Sequence, residues 1–492
     1  MVTMELMIIG FGPVADFKYS RCIREAINQG YMQTFRVIDR ESQKDKVEDR
    51  LTKLPIRPVA RTYIPEEVLQ HGPDAGIKWL VDCGVLIAHN GRGTKLVITT
   101  EPQSHEAYIK YGLAAQFDVL VAKPLVLPTK NGVLDRSSFM PSVKAIAEAS
   151  TDSNRHTAIL CLGRLHEIYE RRLRQPAAMM VDRLQMPITS AHVKTASGVW
   201  NLPYEFAERE DHPYKYGYGM LMHGAYHYID NLARLLLVNR RIYPDDELTL
   251  TLRGFSAGPH DQHSRIPERI NELTAGYNGR YSTLAGGLSY GETDVVASFA
   301  LKFRKTGLVL TLGTISLEQT TPGMRSWGPF PEVPYNINGR LHCTDIDVRL
   351  GPVFGIAARV TKHPIGARMG DADIRGINSA TVVTRSNARL ARTQGFIRTE
   401  HFERPYGNSY SYSAEAEVFR RWLLNEPTYS DFASHVPSCA VLDGLLKLVA
   451  CGGNDDVTFD FNYSEPHWPV LQESDDPWYA YMGDDVAFSA KH

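Results

Sequence analysis

The chain opens with a short apolar run, Glu5-Leu6-Met7-Ile8-Ile9, that stops at Gly10; apolar residues then recur at Cys22, Ile23, Ala26 and Ile27. The first pattern is that of a buried strand, and the second, with its spacings of three and four, that of a helix with one apolar face. Phe35-Arg36-Val37-Ile38-Asp39 reads as a second strand. Strand, glycine turn, helix and a strand ending in an acid predict a βαβ unit. Residues 42–61 are polar, carry both signs of charge and contain two prolines, which predicts a loop or short helix. Buried strands follow over 95–100 and 118–122, with a helix over 104–116 capped by Ser104 between them. The second of these strands stops at Lys123-Pro124, because proline cannot continue the pairing.

A polar stretch at 152–155 precedes a fresh apolar run at 157–161, read as the opening of a second domain. Strand patterns at 190–195, 248–253, 294–303, 308–317 and 339–349 then outnumber helices and predict a largely antiparallel sheet. Segments rich in glycine, proline and arginine, at 256–288, 320–338 and 362–386, read as inserted loops, and helical runs at 414–424 and 436–449 close the pattern. The expected fold class is α/β. A Rossmann-type doubly wound parallel sheet over residues 1–155 is followed by an α+β domain over 156–492 with a large, open, mostly antiparallel sheet.

Length agrees with this division, since 492 residues exceed one ordinary domain. The 54 basic and 56 acidic residues leave a net charge of −2, which gives no electrostatic footprint for nucleic acid or an anionic membrane. Small molecules or proteins are the expected partners. Six scattered cysteines form neither a C-x-x-C pair nor a disulfide framework. With no signal-peptide pattern and no run of roughly 18 apolar residues, a cytoplasmic protein is expected.

Gly10-Phe11-Gly12-Pro13-Val14-Ala15 gives the glycine turn a specific chemistry. The first glycine permits a tight turn, the second lets the backbone approach a pyrophosphate at a helix N-terminus, and Ala15 fills the third small position. Asp39 lies 27 positions beyond Gly12, near the roughly 20 expected of an acid that binds the adenosine ribose. Arg40 follows directly and suits a 2′-phosphate instead. NAD is the expected cofactor, with NADP left open.

Three further motifs carry a resemblance. Thr99-Thr100-Glu101-Pro102-Gln103-Ser104-His105 ends one strand, Ala122-Lys123-Pro124 ends another, and Gly217-Tyr218-Gly219 leads through His223 to His227 and Asp230. In order and spacing, together with the N-terminal turn, these resemble the signatures of the Gfo/Idh/MocA oxidoreductase family. The resemblance implies a Rossmann domain, then an α/β domain with an open sheet, and a substrate lying between nicotinamide and sheet. Family substrates are mostly sugars, cyclitols and their derivatives, and homo-oligomers, dimers or tetramers, commonly form through the open sheet face. It further implies that Gly10, Gly12, Pro13, Val14, Asp39, Arg40, Thr100, Pro102, His105 and Lys123 line the cofactor.

Oxidising a secondary alcohol needs a base for the hydroxyl proton while hydride leaves. Lys123 is the first candidate. It stands at a strand's carboxyl end, where ligands bind in open α/β sheets, and desolvation beside a cationic ring lowers a lysine's pKa. His227 is the second candidate, through its match to the family's active-site histidine. Two positions depart from the family pattern: Ala122 stands where glutamate is usual, and His223 where aspartate is common. On a helix His223 and His227 would share one face, and a histidine at 223 would suit an acidic or phosphorylated substrate. Their spacing is also that of a metal pair, but zinc needs a third protein ligand and none is evident, so no metal is expected. Arg164, Tyr218, His223 and Asp230 are the candidate substrate contacts, Asp230 also as a group that orients His227. The aromatic segment 200–218 reads as a lid, a sugar-stacking wall or core packing. Two other functions remain open: a hydrolase or lyase that retains NAD and oxidises its sugar only transiently, and a non-catalytic dinucleotide-binding sensor or subunit.

Overall fold

The computed structural model describes residues 5–12, 15–32, 34–54, 56–87, 94–197, 201, 203–208, 212–265, 290–319, 342–364, 376–405 and 409–466. The chain divides into two compact units, residues 1–165 with 412–439, and residues 166–411 with 440–492.

The first unit is built on β1 (Glu5–Ile9), β2 (Thr34–Arg40), β3 (Ala60–Ile64), β4 (Thr94–Ile98), β5 (Asp118–Ala122) and β6 (Thr157–Leu160). They form one sheet in the order β3-β2-β1-β4-β5-β6, every pair parallel. The order reverses at β1, the switch point at which open α/β sheets bind ligands. Residues 42–61 hold the short helix that was one of the two readings, Lys44–Lys53, and it leads to β3, whose half-exposed edge position gives it little apolar signal. One expectation is corrected. The run at 157–161 belongs to the first sheet as β6, paired with β5, so the units part at residue 165 and not at 155.

The helix Tyr410–Leu423 supplies Val418, Phe419, Trp422 and Leu423 to the apolar cluster formed by Leu6, Ile8, Phe11, Ala15, Tyr19, Ile23, Phe35 and Val97. Residues late in the chain therefore complete the first core. Lys95, 2% exposed, fastens this return: its Nζ donates to Asp118 Oδ2 at 3.0 Å, the Trp422 carbonyl at 2.9 Å and Asn425 Oδ1 at 2.8 Å.

The second unit is built on β7 (Ser190–Ala196), β8 (Leu248–Ala257), β9 (Asp294–Phe303), β10 (Val309–Glu318), β11 (His342–Leu350), β12 (Phe354–Pro364), β13 (Gly376–Ser386), β14 (Ile397–Pro405) and β15 (Val457–Asp460). Their order is β14-β13-β12-β11-β7-β10-β9-β8-β15, antiparallel except where β7 meets β10. The open, mostly antiparallel sheet expected from the strand patterns is present. Much of the segment at 362–386, expected as a loop, belongs to β12 and β13; 320–341 and 266–289 lie outside the described residues. Outward positions of this sheet carry Phe255, Val296 and Leu312, with Phe255 directly opposite Val296. No helix among the described residues is long and apolar enough to cross a membrane.

Candidate functional site

Gly10 adopts φ +85°, and a Cβ there would meet Thr100 N at 2.8 Å, so both conformation and space demand glycine. Gly12 differs: an added Cβ would meet nothing within 4 Å. Among the described residues no atom crowds that side of the turn, which fits a backbone left bare for a ligand's approach. The next helical segment begins at Ala15, where Asp16 N–H donates to the Gly12 carbonyl at 3.0 Å. Pro13 and Val14 lie outside the described residues.

Asp39 ties the end of β2 to this turn. Its Oδ2 accepts Phe11 N–H at 2.6 Å and its Oδ1 accepts Arg40 N–H at 2.8 Å. Burial raises its pKa while those two backbone donors and the charges of Arg40 and Arg50 pull it down. Arg40 is exposed. The turn, the acid and the helix together fit the diphosphate and ribose of a dinucleotide. Asp16, whose pKa burial also raises, puts a carboxyl in the first turn where a pyrophosphate would approach, and Arg50 and Lys53 oppose its charge.

Two more turns meet at the carboxyl ends of β4 and β5. Ser104 does not cap its helix; its hydroxyl bonds Thr100 Oγ1 at 2.8 Å and the Glu101 carbonyl at 2.9 Å. His105 is fully buried, with Nδ1 2.9 Å from the Pro124 carbonyl and Nε2 3.1 Å from the Thr100 carbonyl. The ring packs between the two turns, its one N–H in the neutral form donating to one carbonyl at a time, and is closed to solvent. Burial pulls its pKa down to about 4, and the Lys123 charge acts in the same direction. Lys123 itself is half-buried at the end of β5, joined to Pro124 by a cis peptide.

In the second unit the helix Tyr226–Leu237 carries His227 and Asp230, both buried. His223 does not share this helix as expected. It lies in the turn before it, with its N–H donating to the Gly219 carbonyl at 3.0 Å. The turn runs from Gly219, which passes so close to Glu292 that no side chain fits, and the regular helix begins only after Ala225. The buried His223 ring meets the rings of His212, Tyr214 and Tyr218 edge-on, at centroid distances of 5.0, 5.0 and 5.5 Å. Tyr218 and Tyr214 are therefore walls of a ring cluster around His223. Phe206 meets Tyr214 at 5.1 Å, which places part of the expected aromatic segment in the same packing. Trp200 lies outside the described residues.

Below this helix, Glu170 receives Arg174 through two bonds of 2.9 and 2.6 Å and pairs with Arg234, all three side chains being buried. Burial raises the Glu170 pKa, and the two guanidiniums outweigh it and bring the carboxyl to about 2. This network holds the far end of the helix that carries His227.

Arg164 stands apart from the expected substrate contacts. It is fully buried in the first unit, donating to the Tyr429 carbonyl at 3.0 Å, Ser434 Oγ at 3.1 Å and the Ser434 carbonyl at 3.1 Å. It anchors the late segment. Glu292 was not marked by any pattern in the sequence, because its bond to Leu221 N–H joins residues 71 positions apart. Among the described residues no three metal-ligating side chains gather.

No family model matches the chain, and no curated protein matches it in sequence. In three dimensions it is similar to the WlbA dehydrogenase from Bordetella pertussis in complex with NADH and UDP-GlcNAcA, at 14% identity and TM-score 0.51, covering 93% of this chain and 99% of that one. An oxidoreductase from Agrobacterium radiobacter with NAD+, L-tartaric acid and magnesium matches at 13% identity and TM-score 0.50, covering 94% and 99%. GenD2 from gentamicin A biosynthesis, in complex with NAD, matches at 13% identity and TM-score 0.50, covering 93% and 97%. The fold implied by the resemblance to Gfo/Idh/MocA oxidoreductases is thus the fold of this chain.

Proposed function

We propose that the protein is an NAD(P)-dependent oxidoreductase that moves hydride between a nicotinamide and a secondary alcohol or ketone of a sugar, cyclitol or related compound. The observation that carries this reading lies in one sheet. The ligand-ready turn at Gly10 and Gly12, the acid Asp39 and the amine Lys123 all stand at the carboxyl ends of the parallel strands β1, β2 and β5.

Asp39 takes the adenosine ribose and the bare backbone at Gly12 takes the pyrophosphate. Arg40, exposed beside Asp39, is positioned to accept a 2′-phosphate, so both cofactors are admitted with NAD preferred. The bound nicotinamide supplies the hydride acceptor or donor. Lys123 accepts the proton of the reacting hydroxyl in the oxidising direction, and His105 holds the turn from which it projects. His227 acts as the second proton-handling group and orients the hydroxyl, with Asp230 one turn further along its helix. His223 brings a group that can become cationic, which favours substrates bearing a carboxylate or phosphate. Copies of the chain associate through the outer sheet face that displays Phe255, Val296 and Leu312.

Native mass spectrometry of the purified protein tests this reading. The expected spectrum shows one dinucleotide per subunit and a dimer or tetramer. A protein that neither carries nor takes up NAD or NADP would sink it.

A further inference from the structure

Two stretches of backbone cross where Gly219 faces Gly291. A Cβ at Gly219 would overlap the Glu292 carbonyl, and one at Gly291 would overlap the Tyr218 carbonyl. At this crossing Glu292 grips the turn that leads to His223 and His227. Its carbonyl accepts Met220 N–H at 2.8 Å, and its Oε1 accepts Leu221 N–H at 2.9 Å. Its side chain is buried, and a carboxylate on a backbone donor makes one of the stronger hydrogen bonds in proteins.

The grip is itself braced. Gly291 N–H donates to the Tyr214 carbonyl at 2.8 Å and Thr293 N–H to the Ala257 carbonyl at 2.8 Å. Asp294, the first residue of β9, accepts Gln319 N–H at 2.9 Å, and the Tyr214 hydroxyl donates to Gln319 Oε1 at 2.7 Å. Tyr214 is one of the rings packed on His223. Glu292 lies two residues before β9, and these bonds tie its short segment to Ala257 at the end of β8 and to Tyr214.

We propose that Glu292 is a positioning residue for the histidine turn, its carboxylate fixing Leu221 and through it the placement of His223 and His227. The effect on turnover rests on the oxidoreductase reading. The role lies in the reach of the side chain, because a displacement of about 1 Å at such a site costs on the order of a hundredfold in rate.

Two conservative variants separate reach from charge. Glu292→Gln keeps the acceptor at the same distance and loses the charge; Glu292→Asp keeps the charge and withdraws the acceptor by one methylene. Hydrogen–deuterium exchange at Leu221 is expected to match wild type in the Gln variant and to run about tenfold faster in the Asp variant. NAD affinity stays as in wild type in both variants, and melting falls by a few degrees in the Asp variant. With myo-inositol and UDP-GlcNAcA as probes, kcat falls roughly ten- to a hundredfold in the Asp variant at little change in KM, and the Gln variant restores it. Equal exchange at Leu221 in all three proteins, or a Gln variant as impaired as the Asp variant, overturns the assignment. A wild type that binds no dinucleotide instead overturns the oxidoreductase reading, and the exchange result then decides on Glu292 alone.

Discussion

Lys95 and Lys123 stand at opposite edges of one parallel sheet, and they have little in common. Lys95, at the amino edge in β4, is buried and bonded to Asp118, Asn425 and the Trp422 carbonyl, with the Trp422 ring 4.6 Å from its Nζ. Burial lowers its pKa, and Asp118 opposes that shift. Lys123, at the carboxyl edge after β5, is half-buried on the turn that His105 packs against. An ammonium whose three protons are all committed holds chain segments together. One on a half-buried turn at the carboxyl ends of the strands stands where ligands bind in open α/β sheets.

The sharpest way to break this contrast is to remove each amine. Lys123→Ala is expected to lower turnover about a thousandfold, ~4 kcal/mol of transition-state stabilisation, while NAD affinity and melting temperature stay near wild type. Near wild-type turnover would remove Lys123 from the chemistry. Lys95→Met should do the reverse, costing roughly 3 kcal/mol of stability in a denaturant titration because Asp118 loses its buried partner. Dinucleotide affinity measured under native conditions should not follow.

The histidine clamp next to Lys123 adds a pH test. His105 is held at about 4, against roughly 6.5 in the unfolded chain. Between those values the unfolded chain binds a proton that the folded protein does not. Stability is therefore full above about pH 6.5 and falls as the pH drops toward 4, by up to ~3 kcal/mol from this group. His105→Gln should flatten that part of the curve; an unchanged curve would mean the imidazole is not held neutral. The smallest effect is expected at the cofactor's other end, where Asp39→Asn weakens NAD binding about tenfold, ~1.4 kcal/mol, and narrows its margin over NADP. Titrations with both dinucleotides would read this directly.

What could be read in the sequence follows the range of the interactions. Gly10, Gly12, Asp39 and Lys123 were legible because a strand, its turn and the next helix are set by neighbouring residues. The strand over 294–303 stood out for the same reason, its apolar residues alternating. By contrast β14 buries none of its residues, so no alternation marks it, and β6 joined the first sheet through pairing with β5. Arg164, Lys95 and Glu292 were misread or unseen because their partners lie 265–270, 327–330 and 71 positions away. His223 illustrates a third cause. Its helical spacing from His227 is real in the sequence, but the regular helix begins only at Tyr226, three residues after it.

The return of residues 412–439 to the first unit has a consequence for synthesis. The strands of that unit leave the ribosome early, yet the wall of their core formed by Val418, Phe419, Trp422 and Leu423 is translated only after the whole stretch 166–411. At roughly 5–20 residues per second the nascent sheet waits tens of seconds with that apolar face uncovered. Folding of the amino-terminal part therefore stays unfinished until residues 418–423 have been made.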